Sequence, residues 1–164
     1  MTKIIPNAET MTIATDTATI CVFDPERVRH RSNDRPDWWS VRSEELEETN
    51  NGNIMIVNVF VDGYYKLCVH NGPVTGTGRA VSAKIACSSG VIFIGPGEEI
   101  TGGQSPPQRG LFIPLVPGTY SVTVAERFPV DGEDDDYLEI GIEPTDENPE
   151  NSFTDSLRLY GGAR

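Results

Sequence analysis

The stretch NIMIVNVFVDGYYKLCVH, from Asn53 to His70, decides the fold. Two apolar runs flank Asp62-Gly63, a pair that favours a type I′ turn because both residues tolerate positive φ. With a two-residue turn, Val61 faces Tyr64, Phe60 faces Tyr65, and the pairing runs back to Met55 opposite His70. One face of that hairpin carries Ile54, Ile56, Phe60, Tyr65, Leu67 and Val69, interrupted by Asn58. The other carries Met55, Val57, Val59, Val61, Tyr64 and Cys68, with Lys66 and His70 among them. A strand apolar on both faces needs cover on both. The hairpin is therefore expected to lie centrally, with a second sheet on one side and another element on the other.

Upstream, Met11 to Ile13 and Thr17 to Phe23 read as strands rich in Thr, Val and Ile. At Asp24-Pro25 the period changes, since Asp is a preferred N-cap and Pro a preferred first helical residue. A short helix from Asp24 to Arg31 is expected, then a break at SNDRP. A second helix follows, capped by Ser43 and ended by Asn50-Asn51-Gly52, its early glutamates suiting the positive end of the helix dipole. This excursion, residues 24–50, is expected to cover the second face of the hairpin, with Trp38 or Trp39 as the main contact. Downstream, Ala80 to Cys87, Tyr120 to Ala125 and Tyr137 to Glu143 alternate, Val91 to Ile94 is a short run apolar on both faces, and Leu111 to Leu115 returns to strand. Pro114 cannot donate to a ladder, so its strand belongs at an edge or ends there. The Gly/Pro-dense run from Gly95 to Gly110 reads as a surface loop. The sum is a mainly β chain: an antiparallel two-sheet β-sandwich of about eight strands with one helical excursion and no βαβ alternation. Residues 1–144 form one domain, and 145–164 a loosely ordered polar tail in which Phe153, Leu157, Leu159 and Tyr160 are the residues able to dock.

At 164 residues, 37% hydrophobic and 23% charged, the composition is that of an ordinary globular domain. No apolar run approaches the roughly 20 residues of a bilayer span, and no signal-peptide core precedes Pro6 and Glu9, so a cytoplasmic location is expected. Cys21, Cys68 and Cys87 are an odd set, each in an apolar strand-like run, which fits buried free thiols in a reducing compartment. The formal net charge is −12, and from Tyr120 onward twelve acidic side chains face three basic ones. Such a field repels nucleic acid and anionic membrane; it favours a basic partner, or serves solubility alone.

No catalytic or cofactor pattern stands out, and no enzyme activity is assigned. The run Asp131-Gly132-Glu133-Asp134-Asp135-Asp136 offers oxygen ligands for calcium but lacks EF-hand spacing. Glu98-Glu99 or Asp62 would have to complete such a site, so a solvated acidic loop is the reading adopted. His30 and His70 stand apart from any metal-ligand spacing. Cys68 lies two residues from His70 on one strand face, which fits a buried thiol beside a surface histidine. Gly76-Thr77-Gly78-Arg79 has no helix after it to cradle phosphate. Trp38-Trp39 fits core anchoring better than a sugar-stacking platform, because adjacent side chains diverge. Arg27, Arg29, His30, Arg31 and Arg35 are offset by Asp24, Glu26, Asp34 and Asp37, and do not point to nucleic acid.

Asp37-Trp38-Trp39-Ser40, the Glu-rich helix, Asn51-Gly52-Asn53, Asp62-Gly63-Tyr64 and Pro117-Gly118-Thr119-Tyr120-Ser121-Val122 resemble a group of small acidic bacterial proteins read as immunity proteins encoded beside secreted toxins. The Pro-Gly-Thr-Tyr strand opening is also similar to that of the competence-associated nuclease inhibitor family. The resemblance, spanning roughly 17 to 143, carries over no residue roles. It implies a non-enzymatic inhibitor that occludes a basic partner such as a toxin nuclease. Taken with the charge, it directs attention to the exposed acids Asp131, Glu133, Asp134, Asp135 and Asp136 on the loop, and Glu139 and Glu143 on the last strand. The alternative is a ligand- or carbohydrate-binding sandwich module. The sequence leaves the oligomeric state open.

Overall fold

The computed structural model describes residues 9–75, 78–100, 106–127 and 137–159. Its strands are β1 (Glu9–Thr15), β2 (Thr19–Phe23), β3 (Met55–Asn58), β4 (Gly63–Asn71), β5 (Ala80–Cys87), β6 (Val91–Pro96), β7 (Leu111–Pro114), β8 (Gly118–Arg127), β9 (Tyr137–Thr145) and β10 (Leu157–Arg158). They form two five-stranded sheets, one ordered β1-β4-β9-β8-β5 and the other β10-β3-β2-β6-β7. The sandwich expected from the alternation is present. Its sheets are mixed, however: β4 pairs with β9 in parallel, and β10 with β3. The remaining pairs are antiparallel.

Between the sheets lies one apolar layer. It takes Leu67 and Val69 from β4, Ile140 and Ile142 from β9, Val122 and Val124 from β8, and Met55, Val57, Ile20, Val22, Ile92 and Ile94 from the facing sheet. The outward positions of β4, β9, β8 and β5 are mostly polar, as expected for a sheet with one wet face. The second sheet has no wet face along its centre. Cys21 and Phe23 on β2, Ile54 and Ile56 beside and on β3, and Phe93 on β6 form a second apolar cluster on its far side.

That cluster is closed by the excursion. Asp24 caps a 3-10 helix over Pro25–Arg31 by accepting from the Glu26 amide at 2.9 Å, and Val28 and Trp38 drop onto the sheet. Trp38 is the anchor, 1% exposed, while Trp39 packs partly buried beside it. Arg31 lies over the Trp38 ring at 4.7 Å and ties the excursion to helix α1 (Arg42–Asn50) through Glu48 at 2.7 Å, Glu44 at 2.8 Å and Glu47 at 3.0 Å. The arginines read as an offset basic cluster thus include one buried structural cation. Helix α1 starts after Val41, with Ser43 inside it, because the amides of Glu44 and Glu45 both donate to the Val41 carbonyl. Its buried face is Glu45, Glu48 and Thr49, and Leu46 is half-buried.

The Asp62-Gly63 hairpin does not form. β3 and β4 lie in different sheets, and the chain crosses between them at residues 59–62. Gly63 has φ +144°, and Ala18 is the one non-glycine residue with positive φ among those described, so Asp62 lacks the conformation a type I′ turn needs. Side-chain periodicity explains the separation. β3 is apolar on both faces and belongs in the covered sheet, whereas Tyr64, Lys66, Cys68 and His70 suit a face open to water. β4 pairs with β1 instead, Thr15 opposite Gly63 and Met11 opposite Leu67.

The segment after residue 144 folds back onto the sandwich. Asn151 bridges the helix and β5 by donating to the carbonyls of Thr49 at 2.8 Å and Lys84 at 2.9 Å, while its side-chain oxygen accepts from the Lys84 amide. Leu159 enters the central layer beside β3. Gly52, in the turn between α1 and β3, is required where this segment passes it: its φ is +71°, and a Cβ there would lie 2.1 Å from the Pro149 carbonyl oxygen.

Two stability predictions follow from the excursion. Trp38→Ala empties the centre of the outer cluster and should cost about 3–5 kcal/mol in denaturant unfolding; a loss below about 1 kcal/mol would show that the excursion does not depend on it. Burial alone would push the Glu48 carboxyl up, but hydrogen bonds from Asn53, His30 and Arg31 outweigh this and hold it below its ordinary 4.5. A carboxyl held lower in the folded chain stabilises above its unfolded value, and the gain disappears as pH falls through the folded one. Glu45, pushed up by burial, acts in the opposite sense. Glu48→Gln should therefore cost about 2 kcal/mol near pH 7 and much less near pH 3. An equal loss at both pH values in urea titrations would refute the ion-pair account.

Candidate functional site

The acids named from the sequence divide once the fold is known. Asp131, Glu133, Asp134, Asp135 and Asp136 lie outside the described residues, in the segment joining β8 to β9. Glu139 and Glu143 both point to the outer side of β9, opposite the inward Leu138, Ile140 and Ile142. They differ in surroundings.

Glu139, expected as an exposed acid, is 3% exposed. The connection from β4 to β5 has to pass β9 and β8, and its first residues lie over β9. There the Thr75 amide donates to both Glu139 carboxylate oxygens at 2.9 Å, the Thr75 hydroxyl adds a bond at 3.0 Å, and the His70 Nε2 stands at 2.6 Å. Gly141 allows this close approach, since a Cβ there would lie 2.4 Å from the Gly72 carbonyl oxygen. Glu139 therefore fastens a crossover. Glu143, two residues beyond Gly141, is exposed, and so are Asp146, Glu147 and Glu150 after it. Lys84 reaches this rim at 3.8 Å from Glu147.

Other carboxylates are also engaged by the fold. Asp24, fully buried, accepts from the Ser88 amide at 2.6 Å and from the Ser89 amide and hydroxyl, both at 2.8 Å. It thereby joins the excursion to the β5–β6 turn. Glu98 accepts from the hydroxyls of Thr15 and Thr17 and from the Asp16 amide, which fixes the β1–β2 turn. Glu99 accepts from the amides of Gln108 and Arg109 and from the Arg109 side chain. Burial would push the Glu98 and Glu99 carboxyls up, but these bonds outweigh it and hold both below 4.5. The pair weighed as calcium ligands is thus already occupied by protein donors.

The remaining candidates resolve by geometry. Cys21, Cys68 and Cys87 are free, and burial raises all three thiols, with Glu139 adding to the effect at Cys68. A raised thiol pKa opposes thiolate chemistry. The His70 ring faces Glu139 with Nε2 and the Asn71 carbonyl with Nδ1 at 3.0 Å, so it is not directed at Cys68. His30 stands 2.7 Å from Glu48. Among the described residues no three His, Cys, Asp or Glu side chains stand together as metal ligands, and no helix is long and apolar enough to cross a membrane. Burial of Trp38 and half-burial of Trp39 remove the tryptophan pair as a platform for sugars.

One exposed feature was missed by the sequence reading. Phe60, Val61 and Tyr64, expected within a covered hairpin, project into solvent where the chain crosses between sheets. The clue available was that Lys66 and His70 share a face with Tyr64, which marks that face as wet.

The fold is shared with two solved structures. ComJ from Bacillus subtilis, described as an inhibitor of the DNA degrading activity of NucA, superposes with a TM-score of 0.51 at 14% identity, over 84% of this chain and 96% of that one. The protein described as crocagin biosynthetic gene J gives 0.52 at 15% identity, over 84% and 95%. The likeness to nuclease inhibitors read from the sequence thus holds at the level of fold. No curated protein sequence matches the chain. Residues 7–159 match the family of unknown function DUF6386, to which this chain belongs.

Proposed function

We propose that the chain is a non-enzymatic inhibitor that blocks the basic substrate groove of a protein partner, a nuclease of the kind released as a toxin, and that it acts as an immunity protein in the cytoplasm. The observation that carries this reading is the division of the acids. Asp24, Glu48, Glu98, Glu99 and Glu139 are engaged internally, whereas Glu143, Asp146, Glu147 and Glu150 stay exposed within one short stretch of chain, with Asp16, Glu26, Asp34, Asp37, Glu47 and Asp62 exposed elsewhere. The acids of residues 131–136 enter β9 at Tyr137, about 20 Å along the strand from Glu143. Partner faces of ordinary size, about 800 Å², are large enough to meet both ends. The fold shared with ComJ, itself an inhibitor of a DNA-degrading enzyme, supports the same reading. Long-range attraction between such a surface and a basic groove raises the association rate and weakens with salt.

The test combines the purified chain with purified nucleases, NucA and those of the cells that make this protein, and follows DNA degradation and association kinetics. Inhibition is expected, and raising salt should slow association. Lysine replacement at Glu133, Asp134, Asp135, Asp136 and Glu143 together should slow it about tenfold or more. Association of that variant at the wild-type rate would remove these acids from the interface.

A further inference from the structure

The segment Phe60–Tyr64 crosses one end of the sandwich and carries the three most exposed large apolar side chains among the described residues: Tyr64 at 82%, Phe60 at 56% and Val61 at 53%. Single apolar side chains at a surface need no explanation, but three within five residues of one link are a local concentration that does. The patch is built on fixed backbone. The Tyr65 hydroxyl donates to the Val61 carbonyl at 2.5 Å, the Val59 amide donates to the Ala18 carbonyl at 2.8 Å, and Gly63 takes its positive φ where the crossing enters β4. The neighbour of Tyr64 on β1 is Ala14, itself exposed, so β1 flanks the patch without covering it. Acids border it. Asp62 lies within the crossing, and Asp16 follows Thr15, the partner of Gly63; both are exposed. Lys66, on the same face two residues beyond Tyr64, is the nearest base along β4.

We infer that Phe60, Val61 and Tyr64 are the apolar anchor of the inhibitory interface, seated in an apolar notch rimmed by lysine and arginine on the basic protein partner. This rests on the inhibitor reading above. Aromatic side chains presented on fixed backbone concentrate binding energy, because little conformational freedom is lost when they dock. Asp16 and Asp62 set the sign of the rim they meet. An anionic bilayer is repelled by these acids and by the net charge of −12, and a second copy of the chain would bring like charges together.

The experiment compares wild type with Phe60→Ala, Tyr64→Ala and Val116→Ala. Val116 is an exposed apolar residue beside the start of β8, at the opposite end of the sheet. All are assayed for inhibition of DNA degradation by NucA and by nucleases purified from the cells that make this protein, after circular dichroism shows equal folding. Each crossing variant should raise the half-inhibitory concentration at least about 30-fold, and Val116→Ala by less than about 3-fold. If wild type inhibits and both crossing variants inhibit equally well, the anchor is elsewhere and the inhibitor reading stands. If wild type inhibits none of the nucleases, the inhibitor reading fails and the anchor with it. Wild type that sediments with mixed phosphatidylcholine and phosphatidylglycerol vesicles, or runs as a dimer, where Tyr64→Ala does neither, would overturn the proposal in favour of a bilayer or a second copy.

Discussion

A sheet that is apolar on both faces is the constraint from which the rest of this structure follows. Ile20 and Val22 of β2 look into the sandwich while Cys21 and Phe23 look out, and β3 and β6 repeat the arrangement. Water on the outer face would expose several large side chains at once, each worth about 1.5–3 kcal/mol of burial. The excursion from Asp24 to Asn50 is the cover. It is short of apolar side chains itself and contributes chiefly Trp38 and Val28, with Ile100 closing the cluster from beyond β6. Polar bonds do the fastening. Arg31 bridges the 3-10 helix to α1, and Asp24 bridges the excursion to the β5–β6 turn.

This arrangement changes the meaning of the charge. The net charge of −12 looks at first like a surface property, yet several of its carboxylates are receptors for backbone amides and hydroxyls far away in sequence. A carboxylate accepts several hydrogen bonds at once, so one side chain can hold two loops together. Asp24 does this across more than sixty residues, and so does Glu139. Only the acids left after such use generate a field that a partner meets. They are fewer than composition implies: in the described part Glu143, Asp146, Glu147 and Glu150 lie at the end of β9 and just after it, while Asp16, Glu26, Asp34, Asp37, Glu47, Asp62 and Asp155 are exposed elsewhere.

How much of this the sequence revealed depends on the range of the interaction. Local chemistry was legible: the Asp24-Pro25 helix start, the alternation of β8 and β9, the edge position of Pro114, and the burial of a tryptophan over a strand apolar on both faces. Each depends on neighbours within a few residues. Partner choice between strands was not. Asp62-Gly63 carries a hairpin signal, but the signal is worth less than keeping Tyr64, Lys66 and His70 in water while Ile54 and Ile56 are covered. Periodicity shows which faces are apolar and does not show which sheet a strand joins. Nor could Glu139 be seen as buried, because its donors, His70 and Thr75, reach it only through the parallel pairing of β4 with β9.

That same parallel pairing shapes the surface. Because β4 and β9 run in one direction, with Lys66 opposite Tyr137, the crossing at Phe60–Tyr64 and the acidic segment that leads into β9 attach at one end of the sheet. In a hairpin, Phe60 and Val61 would have been paired and packed. With β4 in the other sheet, Phe60 and Val61 are more than half exposed. The backbone of this link finds partners in the Ala18 carbonyl and the Tyr65 hydroxyl. Within it Val59 belongs to the central layer, whereas Phe60 and Val61 face outward. Phe60, Val61 and Tyr64 thus stand exposed beside Asp62, at the same end of the sheet as the start of β9.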